Sequence, residues 1–153
     1  AGEGVRFAPV ALQGTLAPLI TGLARLAQRR HITLRQTVDS GVRVHMDGQD
    51  LQEMVGNLLD NALRWGKSDV HIRLQAQSEM LLLVVSDDGP GMTPQECQAA
   101  VQRGKRLDEQ RSGSGLGLAI VTDLVTLYHG QMRLQRAESG GLEVVIELPV
   151  VAT

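Results

Sequence analysis

The chain has 153 residues, a formal net charge of −2, and is 42% hydrophobic, 21% charged and only 2% aromatic. That length fits one domain, and near-neutral charge with three rings (Phe7, Trp65, Tyr128) excludes a basic, ring-lined nucleic-acid platform. A single cysteine, Cys97, excludes an intramolecular disulfide framework and a thiolate zinc cluster, and the longest purely apolar run, Met80 to Val85, is far too short to span a bilayer.

Residues 1–9 (AGEGVRFAP) lack periodicity and carry no charged-then-apolar leader, so they read as a cut from a longer protein. Leu16, Leu19, Ile20, Leu23, Leu26 and Ala27 recur at helical spacing, with Thr15 as a cap and Pro18 in the first turn. His31–Val38 and Gly41–Met46 read as short strands joined across Asp39-Ser40-Gly41. A second helix is expected from about Gln49 to Trp65, with the apolar stripe Leu51, Met54, Val55, Leu58, Leu59, Ala62 and Trp65, ended by Gly66. Val70, Ile72 and Leu74 alternate as a strand, and Leu81–Val85 forms another. Residues 86–92 are a turn by composition, a short helix is predicted over 93–102 starting at Thr93-Pro94, and 103–115 reads as a mobile loop. A third helix is predicted from Leu116 to about His129, stopped by Gly130, followed by strands Met132–Arg136 and Leu142–Leu148 across Ser139-Gly140-Gly141. Three helices and about six strands imply an α+β two-layer sandwich.

Three constellations carry chemistry. Opposite the apolar stripe of the second helix lie Glu53, Asn57, Asn61 and Arg64, at spacings of four, four and three that put them on one side. Asparagine costs up to about 0.7 kcal/mol relative to alanine inside a helix, so a plain solvent face would more often carry Glu, Lys or Gln. Neutral oxygen donors beside a carboxylate and a cation suit a hard metal ion bound together with phosphate. Next, Asp87-Asp88-Gly89-Pro90-Gly91 follows an apolar strand; its glycines admit a close ligand, and a carboxylate at the strand end can accept from an amino group such as that of adenine. Finally, Gly113-Ser114-Gly115-Leu116-Gly117-Leu118 leads into a helix, where unobstructed backbone amides form an anion site, with Arg103, Lys105, Arg106 and Arg111 just upstream. Of the chain's 17 glycines, six fall between Gly89 and Gly117, within these last two features and the loop between them. Two better-known phosphate motifs are excluded. Gly66-Lys67-Ser68 lacks the upstream P-loop glycine, since Asn61 stands there, and Gly113-x-Gly115 has Leu118 where a dinucleotide fingerprint needs glycine.

In this order and spacing the three features resemble the ATP-binding catalytic domain of bacterial two-component sensor histidine kinases, in the superfamily shared with gyrase, mismatch-repair and heat-shock chaperone ATPases. Residues 53–65 (EMVGNLLDNALRW) look like the family's N box, 87–91 (DDGPG) like its G1 box and 113–117 (GSGLG) like its G2 box. The likeness covers roughly residues 7–150, and the stretches GNLLDNA and RGKRLDEQRSGSGLGLA look most similar to PhoQ-like sensor kinases. The resemblance implies a Bergerat-type two-layer α/β sandwich, a mixed sheet of five to six strands on three helices, with a mobile ATP lid over about 93–115. It implies that residues 1–6 are residual linker from an upstream dimerisation and phosphoacceptor domain, and that 7–153 form the catalytic domain.

The resemblance also assigns roles. Asp87 would accept from the adenine amino group, with Gly89 and Gly91 admitting the base. Asn61, with Asn57, would hold Mg²⁺ against the triphosphate, and Arg64 would contact phosphate. Arg106 and Arg111 would reach the γ-phosphate, while Gly113, Gly115, Leu116 and Gly117 would wrap the phosphates. Asn57, Arg106 and Arg111 would be the catalytic set. Two features depart from the family: Val101 stands where its F box has phenylalanine, and no H box is present, since His31 and His71 fall in predicted strands, His45 near a strand end and His129 at a helix terminus. The expected function is therefore transfer of the γ-phosphate of Mg-ATP to a histidine on an adjoining dimerisation domain, for relay to a response-regulator aspartate. The domain is expected to be cytoplasmic, monomeric in isolation, and without nucleic-acid or membrane contact. Asn57 occupies the position where the superfamily's ATPases and serine kinases carry a glutamate base, which disfavours those alternatives, as the intact boxes disfavour a degenerate binding module.

Overall fold

The computed structural model describes residues 7–105 and 114–153. In chain order the elements are β1 (Val10–Ala11), α1 (Leu12–Arg29), β2 (Thr33–Val38), β3 (Arg43–Val44), α2 (Gly48–Trp65), β4 (Asp69–Gln77), β5 (Met80–Asp87), α3 (Pro94–Lys105), α4 (Ser114–Leu127), β6 (Gln131–Arg136) and β7 (Leu142–Leu148). Five strands form one mixed sheet in the order β2-β4-β5-β7-β6, with β2 parallel to β4 and every other pair antiparallel. Alternation sends Val70, Ile72 and Leu74 of β4, Leu81, Leu83 and Val85 of β5, and Val144, Ile146 and Leu148 of β7 into one buried core, against the apolar stripe of α2 and residues of α1 and α4. This is the expected α+β two-layer sandwich. Among the described residues, no helix is long and apolar enough to cross a membrane.

Several elements differ from expectation for identifiable reasons. The pair proposed around Asp39-Ser40-Gly41 is not a hairpin: β2 joins β4 in parallel, whereas β3 pairs with β1 in a separate two-stranded ladder. Two-residue β1 is too short for a periodicity signal. Helix α1 starts at Leu12 behind an uncapped Ala11, so Thr15 is interior and Pro18 sits in the second turn. The N–H that proline lacks would have gone to the carbonyl of Gly14, which is solvent-exposed and can bond water instead. Helix α3 runs to Lys105 and α4 begins at Ser114, so only 106–113 of the stretch read as a loop lie outside the described residues. The start of α3 is a reciprocal cap: Glu96 N–H donates to Thr93 Oγ1 at 3.1 Å and Thr93 N–H to Glu96 Oε1 at 2.8 Å.

Two histidines end helices. His31 after α1 and His129 after α4 both have φ of 60°, in the left-handed region. The following N–H groups, of Ile32 and Gly130, close back onto Ala27 and Val125 at 2.9 and 2.8 Å. Gly130 does not supply the left-handed turn; it is needed because a Cβ there would strike Leu148 and the Glu147 carbonyl. Both histidine rings are exposed. His31→Gly and His129→Gly should each therefore raise stability by about 0.5–1 kcal/mol, seen as a higher urea midpoint at unchanged slope.

Candidate functional site

Asp87 is the last residue of β5 and continues the stripe Leu81, Leu83, Val85, so the pleat turns its carboxylate toward the helix layer. It is 4% exposed. Both hydrogen bonds to its carboxylate among the described residues fall on Oδ1, from the N–H groups of Gly89 at 2.8 Å and Leu142 at 3.3 Å, while its backbone carbonyl accepts from Ser139 Oγ at 2.9 Å. Burial pushes its pKa up, and the two N–H donors only partly offset that. A collar of glycines makes the burial possible: a Cβ at Gly141 would strike the Asp87 carbonyl and Oδ1, and one at Gly89 would strike the Trp65 carbonyl. Gly91 has φ of 75°, and a Cβ there would lie 2.6 Å from the Gly140 carbonyl.

The carboxylate opens into a cavity of about 310 Å³ lined by Trp65, Pro90, Met92, Glu96, Ala99 and Leu142 with Gly91. Apolar walls around one fixed acceptor suit a flat, amine-bearing heterocycle. Trp65, expected in the core, is 49% exposed at the end of α2 and forms one wall; Leu63 takes the buried place instead. Its position as the last helical residue before Gly66 was the available signal. Leu142, Gly141 and Ser139 come from β7 and the turn before it, far away in sequence, and only the β5–β7 pairing brings them to Asp87.

The neighbouring Asp88 points the other way and is structural. Its Oδ1 accepts from the N–H groups of Lys67 at 2.8 Å, Ser68 at 3.0 Å and Asp69 at 3.1 Å, and its Oδ2 from Ser68 Oγ at 2.7 Å. Burial alone would raise its pKa, but these donors outweigh it and hold the carboxyl well below the usual carboxylate range. Asp88 thus clamps the α2–β4 connection and fixes Gly66 and Trp65 beside Asp87.

On α2, Asn57 and Asn61 are half-buried, and Glu53 and Arg64 exposed. Asn57 Nδ2 donates to the Glu53 carbonyl at 2.7 Å, and its Oδ1 faces α4, where a Cβ on Gly117 would lie 3.3 Å from it. The start of α4 is therefore packed on Asn57, bringing two sequence-predicted positions together. Arg64 is not brought to the Asp87 cavity: its Nη2 lies 3.6 Å from Asp60 Oδ2, and it lines a separate concavity with Arg30 and Lys67. Gly115 and Leu116 lie in the first turn of α4, Val101 is in α3, and Arg106, Arg111 and Gly113 lie outside the described residues. No group of three or more His, Cys, Asp or Glu among the described residues could hold a metal ion. Asn57 and Asn61 carry neutral amide oxygens of the kind Mg²⁺ accepts, and among the described residues no hydrogen bond falls on Asn57 Oδ1.

A buried acceptor in an apolar cleft at a strand end, beside an asparagine-bearing helix and a glycine-started one, defines a nucleotide-binding α+β domain. Residues 46–152 match the histidine kinase-, DNA gyrase B-, and HSP90-like ATPase family, and the chain belongs to it. It is 42% identical over 133 residues to the sensor protein kinase CarS of Pseudomonas aeruginosa, which covers 87% of this chain and 30% of that protein. It is 29% identical over 135 residues to the sensor protein PhoQ of Escherichia coli, covering 86% of this chain and 28% of that protein. The chain thus spans under a third of these relatives. The mycobacterial sensor histidine kinase MprB superposes with a TM-score of 0.77 at 32% identity, over 94% of this chain and 98% of that one. The catalytic domain of the histidine kinase ThkA, at 15% identity, shares the fold with a TM-score of 0.81 over 95% of this chain and 97% of its own. The chain is a catalytic ATP-binding domain of the sensor histidine kinase type.

The Asp88 clamp gives a pH-dependent test. Its folded pKa lies below the unfolded value near 4, so its stabilisation is complete above that value and is lost as pH falls through the folded one. Asp88→Asn should cost about 2 kcal/mol at pH 7, a penalty that shrinks as the pH is lowered below about 4; chemical denaturation at several pH values measures both.

Proposed function

We propose that this domain binds Mg-ATP with the adenine in the Asp87 cavity and the triphosphate along α2 toward the start of α4, and that it delivers the γ-phosphate to a histidine on an adjoining dimerisation domain. An aspartate of a response regulator would receive the phosphoryl group next. The observation that carries this reading is the Asp87 carboxylate, buried at the mouth of an apolar cavity with Oδ1 committed to two backbone donors. An adenine amino group donates to such an acceptor, whereas the guanine carbonyl at the same place would be repelled. Trp65 and Met92 would cover the ring faces. Asn57 and Asn61 would hold Mg²⁺, which would supply charge neutralisation at the phosphates during transfer.

Arg64 would exchange Asp60 for a phosphate oxygen, Arg106 and Arg111 would reach the γ-phosphate, and Gly113, Gly115, Leu116 and Gly117 would close over the phosphates as part of a lid. The asparagine at position 57 sets the reaction class. An amide cannot take a proton at neutral pH, so an attacking water or serine hydroxyl lacks a base there, while a neutral imidazole nitrogen attacks without one. The domain is proposed to be cytoplasmic and monomeric by itself.

Calorimetry with Mg-ATP tests the base site. Asp87→Asn should weaken binding at least tenfold, about 1.4 kcal/mol. Stability should move the opposite way. The raised pKa of Asp87 means that folding favours its protonated form, a contribution complete below the unfolded pKa and lost as pH rises through the folded one. At pH 7 the ionised side chain is therefore a cost, and the variant should melt no lower than the wild type. Unchanged affinity would sink the adenine assignment. Supplying the phosphoacceptor domain with ATP should yield acid-labile phosphohistidine; steady phosphate release by this chain without an acceptor would point to an ATPase instead.

A further inference from the structure

The segment entering the domain is fastened at three points. The Phe7 carbonyl accepts from His45 Nδ1 at 2.7 Å, the Pro9 carbonyl from Arg43 Nη2 at 3.0 Å, and Val10 and Ala11 pair with β3. The Phe7 ring lies on Tyr128, with centroids 6.1 Å apart. Tyr128 directly follows α4, and its hydroxyl donates to Asp50 Oδ2 at 2.6 Å and accepts from the Asp47 N–H at 3.1 Å. Asp47 is the N-cap of α2, bonded to Gln49 N–H at 2.7 Å, and Asp50 is in that helix's first turn. Among the described residues, these are the hydrogen bonds that join α2 and its cap to the end of α4. Elsewhere the two helices meet through packing, including Gly117 against Asn57. Burial, with the Asp50 bond, pushes the Tyr128 hydroxyl up to about 12, so it stays a donor at every physiological pH.

We infer that Phe7 and Tyr128 are positioning residues for the phosphate end of the nucleotide site, the approach segment setting the gap between α2 and α4 through the Tyr128 hydroxyl. This rests on the proposed placement of the triphosphate. The C-terminal end of α2 is held by the Asp88 clamp, so a shift at its N-cap pivots the helix about that end and moves Asn57, and to a lesser degree Asn61, relative to Gly117. The base pocket is exempt, because Asp87, Gly89 and Leu142 are tied by backbone bonds and Trp65 stands at the pivot, next to the residues that Asp88 clamps. The signature of a positioning role is therefore a split between ligands with and without phosphates.

The test measures Mg-ATP and adenosine affinity of the 153-residue chain, by calorimetry and Trp65 fluorescence, for Phe7→Ala, Tyr128→Phe and Asp50→Asn. Phe7→Ala, at a ring 36% exposed, does not threaten folding. Phe7→Ala and Tyr128→Phe should weaken Mg-ATP about tenfold and leave adenosine within about twofold. Asp50→Asn keeps an acceptor for the hydroxyl and should stay near wild type, and the Phe7→Ala/Tyr128→Phe double variant should lose less than the sum of the two. Equal losses for both ligands, or no loss for either, would overturn the positioning role. A wild-type chain that binds adenosine but not Mg-ATP would instead overturn the triphosphate placement, and this assignment with it.

Discussion

A carboxylate on the core-facing side of a central strand is the constraint around which this domain is arranged. The β5 stripe runs Leu81, Leu83, Val85, Asp87, so the fourth member would be a buried charge with no counter-ion if the core closed over it. It does not close. The glycines at 66, 89 and 141 bring backbone where side chains would stand, two N–H groups meet one oxygen, and the adjacent cavity takes the place of packing. The pKa of Asp87 is raised because burial outweighs those two N–H donors. An N–H donated by a ligand would offset that deficit, which is why the cavity suits an amine-bearing ring.

Asp87 and Asp88 show how a one-residue step in a pleat separates two functions. Their pKa values move in opposite directions, one through burial and the other through four short donations from residues 67–69. The clamp made by Asp88 fixes where α2 ends, and the end of α2 supplies Trp65 to the cavity. Of two neighbouring identical residues, one is thus committed to the α2–β4 connection and the other faces the cavity.

Helices and strands with a clear period were legible in the sequence, often to within a residue or two, because the same apolar stripes that reveal them are what the core buries. β7 matched its predicted bounds, as Leu142–Leu148, and α2 differed by one residue at its start. Pairing was not legible: nothing local in Thr33–Val38 says that it joins β4 in parallel rather than the strand that follows it. The site divided along the same line. Asn57, Asp87, Gly89, Gly91 and Gly117 stand in motifs contiguous in sequence and could be read there. Ser139, Gly141 and Leu142 reach Asp87 only through the sheet, and Trp65 carries an apolar side chain whose exposure depends on the cavity beside it.

The four histidines complete the chemical picture by what they already do. His31 and His129 hold left-handed positions that end α1 and α4, His45 donates to the Phe7 carbonyl, and His71 Nε2 sits 3.0 Å from Thr37 Oγ1 on the edge of the sheet. Burial and the nearby arginines 35 and 73 lower the pKa of His71, which keeps it neutral, but it stands on β4 with its ring on the face opposite the helices. None of them lines the Asp87 cavity, and the amide of Asn57 cannot act as a base. On the proposed reading, with the base in the Asp87 cavity, a cation at Asn57 and the acceptor histidine supplied from elsewhere, the domain would be chemically half of a phosphotransfer reaction. The other half would then meet it on the α2–α4 side, where Gly117 packs on Asn57 and the Tyr128 hydroxyl links the ends of the two helices. An acceptor arriving there would leave the Asp87 cavity, tied by its own backbone bonds, undisturbed.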